Sequence, residues 1–228
     1  MKASPGARSW IAAGVRHELF TRALPALRHD MASPVSVIRM GLLLLKRQAA
    51  SGSADESVWE QRTAMIEEQV NAVVSGIRSL RNWELSVADD GITRSALVAQ
   101  CVGLMRTAFE LNGISLEVSD SLLPENAPGD EASRPEGAAL RYMVLGALGY
   151  LNDRSDELGA IRVDAEGADA LRFTGVSGAS RTPDPIARAL RAPRTLAIDA
   201  VALQALSDGL GYAVSVDDNS VLLWLVPA

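Results

Sequence analysis

The sequence predicts an α+β chain: an antiparallel helical hairpin, paired with a second copy into a dimeric four-helix bundle, followed by an α/β sandwich. Three observations carry that reading. Met31, Val35, Ile38, Leu42 and Leu45 recur at intervals of 4, 3, 4 and 3, the apolar seam of a bundle helix. Ile66, Val70, Val73, Ile77 and Leu80 repeat the same steps after a short polar stretch. Beyond Ala88-Asp89-Asp90-Gly91 the long periods stop and shorter helical and alternating stretches take over. The chain therefore divides into a helical domain, residues 1–88, and a mixed domain, residues 89–228.

The first helix is expected to begin between residues 15 and 18 and to end near residue 50, with bends at Pro25 and Pro34. Within it stands Ala26-Leu27-Arg28-His29-Asp30-Met31-Ala32-Ser33-Pro34-Val35. His29 lies two residues before Met31, a rotation of about 200° at roughly 100° per residue, so its imidazole points away from the seam. Pro34 has no N–H for the carbonyl of Asp30, and its ring crowds that carbonyl, which bends the helix just past the histidine. The product is an exposed imidazole beside a carboxylate, on a helix held from behind. The other histidine, His17, also precedes an acid, Glu18, but Arg22 stands where Pro34 stands relative to His29.

Residues 49–57 are small and polar, with capping types at their end, and lead into a second helix over residues 57–85. Two seamed helices joined this way make an antiparallel hairpin. One hairpin leaves an apolar face uncovered, and a second copy about a two-fold axis covers it. The alternative is that the seam packs on the mixed domain of its own chain.

In the mixed domain, residues 95–111 read as a helix closed by Asn112-Gly113. Residues 114–118 alternate as a strand, 124–135 form a proline- and glycine-punctuated loop, and 138–151 are an apolar helix. Strands follow at 161–163 and 171–173, then a helix at 201–210 and a hairpin of 213–216 with 220–226 across Asp217-Asp218-Asn219. That order describes an α/β sandwich.

With 48% hydrophobic and 22% charged residues in 228, the chain has enough apolar material for a real core. A net charge of −6 without a basic cluster argues against nucleic acid as a partner. Cys101 is the one cysteine, so no disulfide closes within the chain and no cysteine cluster holds a metal; its apolar neighbours suggest a buried thiol in a reducing compartment. Residues 1–16 hold no long apolar run, and the block at 42–45 is far too short to span a bilayer. The expectation is a soluble cytoplasmic protein with no membrane segment and no input domain.

His-Asp-x-x-x-Pro, here His29, Asp30 and Pro34 ahead of a long apolar helix, resembles the phospho-acceptor box of the dimerisation and phosphotransfer domain of two-component histidine kinases. The mixed domain resembles the ATP-binding domain that follows this hairpin in the family. Gly113-Ile114-Ser115-Leu116-Glu117-Val118 matches its first strand, 141–160 the helix of the Asn box, 174–180 the first glycine box and 196–226 the closing helix and hairpin. The resemblance spans nearly the whole chain from residue 15. It also implies nucleotide ligands that this chain lacks. The Mg²⁺-binding asparagines fall on Gly146 and Tyr150, with Asn152 and Asp153 about half a turn out of register, while Mg²⁺ demands hard oxygen donors in octahedral array. Phe173-Thr174-Gly175-Val176-Ser177-Gly178-Ala179 lacks the aspartate expected for adenine. Ala192-Pro193-Arg194-Thr195-Leu196-Ala197-Ile198 lacks the glycines of a backbone phosphate cradle. Arg181 and Arg194 are the groups that could still hold phosphates by another route.

A kinase scaffold that keeps its histidine and loses its nucleotide site resembles the dimeric histidine phosphotransferases of multistep phosphorelays. The resemblance implies phosphoryl exchange between His29 and aspartates of response-regulator receiver domains, without ATP-dependent autophosphorylation. Asp30 would hold the ring and stabilise the charge that develops on it. Imidazoles in general titrate at about 6.5 and supply a neutral nucleophile at physiological pH. Ser33, on the same helical face four residues on, matches a position where related bundles orient a water for dephosphorylation; a serine before proline also bonds its local backbone. Arg28 and Arg39 are either contacts to an acidic regulator rim or solvated helix charges. The chain needs no cofactor of its own, since Mg²⁺ arrives with the regulator. Two alternatives stand beside this: a non-catalytic dimeric pseudokinase module that binds a response regulator or a kinase, and a divergent active histidine kinase.

Overall fold

The structure, a computed structural model, describes residues 4–51, 56–85, 91–154, 157–178 and 196–228. These form α1 (Pro5–Ser51), α2 (Glu56–Arg81), α3 (Arg94–Leu111), β1 (Ser115–Val118), α4 (Gly137–Arg154), β2 (Leu158–Glu166), β3 (Ala170–Ser177), α5 (Ala200–Leu210), β4 (Tyr212–Val216) and β5 (Ser220–Pro227). Two short 3₁₀ turns, Asp120–Leu122 and Pro124–Asn126, follow β1. The chain divides into two compact units, Leu24–Glu84 and a unit built from Met1–Ala23 together with Leu85–Ala228. The sequence places residues 1–88 in one domain; the structure groups the first 23 residues with the α/β unit instead.

That difference begins with where α1 starts. The Ser4 hydroxyl accepts from the Ala7 N–H at 3.3 Å, and Pro5 follows at the first helical position, where its missing N–H has no partner to lose. The helix therefore begins at Pro5 rather than between residues 15 and 18, and it runs unbroken through Pro25 and Pro34.

In the hairpin unit the residues read as one seam separate into two sets. On α1, Leu45 is buried and Ile38 half-buried, beside Pro34 and Gly41, which are also turned inward. At Gly41 the helices approach closely: a Cβ there would lie 2.9 Å from Ile66 Cγ1. Val35 and Leu42, read as members of the same seam, are exposed, and so are Val70 and Ile77 on α2. The cause is geometric, because a helix covers only a narrow stripe of its partner and positions 3 and 4 apart straddle its edge. No residue of α2 is fully buried.

In the α/β unit the sheet order is β1-β2-β3-β5-β4, with β1 parallel to β2 and the other neighbours antiparallel. Ile161, Val163, Leu171, Phe173, Val221, Leu223 and Leu225 alternate onto one face and are essentially inaccessible. Helix α4 lies on β2, β3 and β5, flanked by α3 and α5. Every residue from Gly137 to Leu151 is buried, which is why α4 is apolar all round. Helix α3 starts at Thr93, whose hydroxyl accepts from the Ala96 N–H, and ends at Asn112 and Gly113, the latter at φ +76°. Asp199 caps α5 through the Ala202 N–H at 2.7 Å, and Gly211 closes it at φ +75°. Cys101 is buried on α3, and burial pushes its thiol up to about 12 against a small opposing effect of the Arg141 charge.

Candidate functional site

On α1, Leu27 and Pro34 are buried and Met31 is half-buried, while Arg28, His29, Asp30 and Ser33 are exposed. The His29 side chain is 82% exposed and that of Asp30 70%, with His29 Nδ1 3.6 Å from Asp30 Oδ1. This leaves Nε2 as the ring nitrogen on the side away from the carboxylate. An imidazole held this openly is in contact with water, and among the described residues Asp30 is the one charged group paired with it. Any reaction at His29 must obtain groups that exclude water or polarise an electrophile from the molecule that meets it. His17 is exposed as well, but the turn around it belongs to the α/β unit.

The other sequence-derived positions lie on α4 and β3, and here the structure supplies reasons for the residues present. A Cβ on Gly146 would stand 2.8 Å from Leu206 Cδ2 and 3.0 Å from Leu203 Cδ1; one on Gly149 would stand 3.3 Å from Leu19 Cδ2 and 3.4 Å from Ile198 Cγ1. The α4 surface that the resemblance assigns to metal and nucleotide is thus filled by leucines of α5 and α1. Tyr150 is buried, and its hydroxyl accepts from Arg154 at 2.5 Å. Asp153, only 2% exposed, accepts from the Arg22 guanidinium at 2.8 Å and from the Ile198 N–H at 2.9 Å through Oδ2, and from Asn152 through Oδ1. Both oxygens that could have served a cation are therefore engaged by the chain itself.

Gly175 in β3 and Gly178 just past its end serve the sheet. A Cβ on Gly178 would fall 2.6 Å from the Cα of Gly159, and one on Gly175 would fall 2.6 Å from Asn219 Oδ1. Asn219 donates to the Gly175 carbonyl and accepts the Gly175 N–H through its own carbonyl. Arg181, Arg194 and most of the second glycine-box match, residues 192–195, lie outside the described residues.

No protein-family model matches the chain, and no curated protein matches it. Among solved structures it is similar to full-length ShkA in complex with AMPPNP, at 16% identity and a TM-score of 0.33, over 90% of this chain and 46% of that one. It is also similar to the Acinetobacter baumannii histidine kinase AdeS, at 10% identity and a TM-score of 0.35, over 86% of this chain and 98% of that one. The chain spans less than half of the ShkA chain.

Sequence reasoning missed Arg22, which it weighed only as a residue standing where a proline was wanted. The guanidinium donates to Glu18 Oε1, Asp153 Oδ2 and the Leu196 carbonyl, each at 2.8 Å. Burial alone would lower its pKa, but the Glu18 hydrogen bond and the nearby Asp153 charge outweigh that and raise it above its ordinary value. The local Glu18–Arg22 spacing of four was the one available signal; the long-range acceptors had none.

Proposed function

We propose that the chain is a histidine-containing phosphotransferase of a two-component phosphorelay, passing phosphoryl groups between His29 and response-regulator aspartates. The supporting observation is His29 itself: an exposed imidazole with one nitrogen turned to Asp30, on a helix whose opposite side is anchored by Leu27 and Pro34. In the forward step the Nε2 lone pair attacks phosphorus, the N–P bond forms, and the bond to the aspartyl oxygen breaks as that carboxylate leaves with its electron pair. The ring becomes cationic, and the Asp30 carboxylate beside Nδ1 stabilises it until a proton is lost. Mg²⁺ enters with the regulator, whose closure supplies the dry surroundings that His29 lacks.

Homodimerisation belongs to the same reading. Val35, Leu42, Val70 and Ile77 leave an apolar strip on the hairpin that a second copy would bury in a four-helix bundle. Autophosphorylation does not fit it, because Leu19, Leu203 and Leu206 stand where α4 would have to admit a nucleotide. Ser33, four residues after His29 and exposed, would in this reading orient a water toward the phosphoryl group.

The test is incubation with phosphorylated receiver domains and Mg²⁺, followed by detection of acid-labile label on the chain. Label that disappears in His29→Gln supports transfer. A regulator that binds without transferring label would make the chain a binding module, and label from Mg·ATP alone would make it a kinase.

A further inference from the structure

The first 19 residues of α1 behave as a ligand of the α/β unit rather than as part of the hairpin that the rest of α1 builds. Ala12, Val15, Leu19 and Ala23 form a stripe at intervals of 3, 4 and 4, and all are buried. Ala12 meets α5 where a Cβ on Gly209 would lie 2.7 Å away, and Leu19 rests over Gly149 and Gly146 of α4. Arg22 then closes the contact on Asp153 and the Leu196 carbonyl. This is helix-in-groove recognition, with the groove cut by three glycines and the orientation fixed by one cation.

Two features limit the strength of the contact. Val15 and Leu19 are the largest fully buried side chains of the segment, Phe20 and Arg22 are half-buried, and Trp10 is 80% exposed. Pro25 also has no N–H to give to the carbonyl of Thr21, so one helical hydrogen bond is missing just after Ala23.

We propose that the α4–α5 face is a helix-binding groove, occupied in this structure by Pro5–Ala23 of the same chain, with Arg22 as the latch that keeps it closed. Its ligand class is an amphipathic helix carrying a leucine and, three residues on, an arginine. Such docking closes in cis the surface that would otherwise be open to a partner.

The experiment uses the full chain and a labelled peptide of residues 4–24. In Leu19→Asp the cis segment no longer seats, so the peptide should bind this variant at least tenfold more tightly than the unmodified chain, and Arg22→Gln in the peptide should remove most of that binding. Equal affinity for both chains, or no binding to a Leu19→Asp chain whose circular dichroism is unchanged, overturns the proposal. Should Leu19→Asp fail to fold, hydrogen exchange on Arg22→Gln decides: amides of residues 8–21 should exchange at least tenfold faster, with those of α3 and β3 unaffected. Unchanged exchange, or a rise throughout the unit, refutes the latch. No phosphoryl donor is involved, so the result is independent of the role of His29.

Discussion

Ile77→Glu separates the stability of the hairpin from that of the dimer. Ile77 is 55% exposed in the single chain, and glutamate has at least the helix propensity of isoleucine, so the change should leave the monomer's own contacts and helicity intact. In a two-fold bundle the same position occurs twice, and each copy would bring an unpaired carboxylate to an apolar interface. At ~2.5 kcal/mol per site, a low value that allows the side chain to reach toward the rim, the dimer would lose about 5 kcal/mol. That corresponds to a rise in the dissociation constant of roughly three to four decades. Light scattering and sedimentation over a micromolar concentration series read the change, with circular dichroism to show that helix content is kept. The control is Leu45→Glu, which is buried within the hairpin and should melt it whether or not a dimer forms. An unmodified chain that is monomeric throughout the series, or an Ile77→Glu chain as dimeric as the original, refutes the bundle.

His29→Gln should abolish phosphoryl acceptance while the chain stays folded and dimeric, because the side chain is 82% exposed; persistent label would move the acceptor to His17. Asp30→Asn removes charge and keeps shape, so transfer should slow by roughly 10- to 100-fold without stopping, and full activity would make Asp30 a bystander. Calorimetry with Mg·ATP should give no binding heat, since Leu19 fills the α4 face; a low-micromolar constant would reverse that reading. For Cys101 the pH dependence has a definite sign. The unfolded chain releases the thiol proton above about 9 and the folded chain holds it to about 12, so its contribution is complete below pH 9 and is lost as pH rises through that window. Urea melts at pH 8 and pH 10.5 should show a steeper loss for the unmodified chain than for Cys101→Ala, by about 1.4 kcal/mol per pH unit within the window.

Much of the α/β unit was legible because its signals are local. Asn112-Gly113 ended α3 where read, the alternation at 114–118 became β1 over Ser115–Val118, and Asp217-Asp218-Asn219 joined β4 to β5. The strands read at 161–163 and 171–173 extended to Leu158–Glu166 and Ala170–Ser177, because ladder pairing propagates past the residues that show an apolar pattern. The hairpin seams were legible only as a period. A 4-3 repeat says that a helix has an apolar stripe, but Val35 and Leu42 lie on the outer edge of that stripe and Ile38 and Leu45 on the inner, and which edge meets α2 is settled by the crossing of the two helices.

The hardest features to read were those whose meaning depends on what lies opposite. Gly146 and Gly149 are blank at the level of sequence: against the family pattern Gly146 reads as a lost ligand, and Gly149 carries no reading at all. Their physical content comes from Leu19, more than a hundred residues earlier, which rests in the space that their missing side chains leave. The same holds for Asp153, which read as a displaced metal ligand and is instead the acceptor that fixes Arg22. Adding a side chain at position 149 is therefore expected to displace the N-terminal segment of α1 before it disturbs α4, which the sheet, α3 and α5 hold on its other sides.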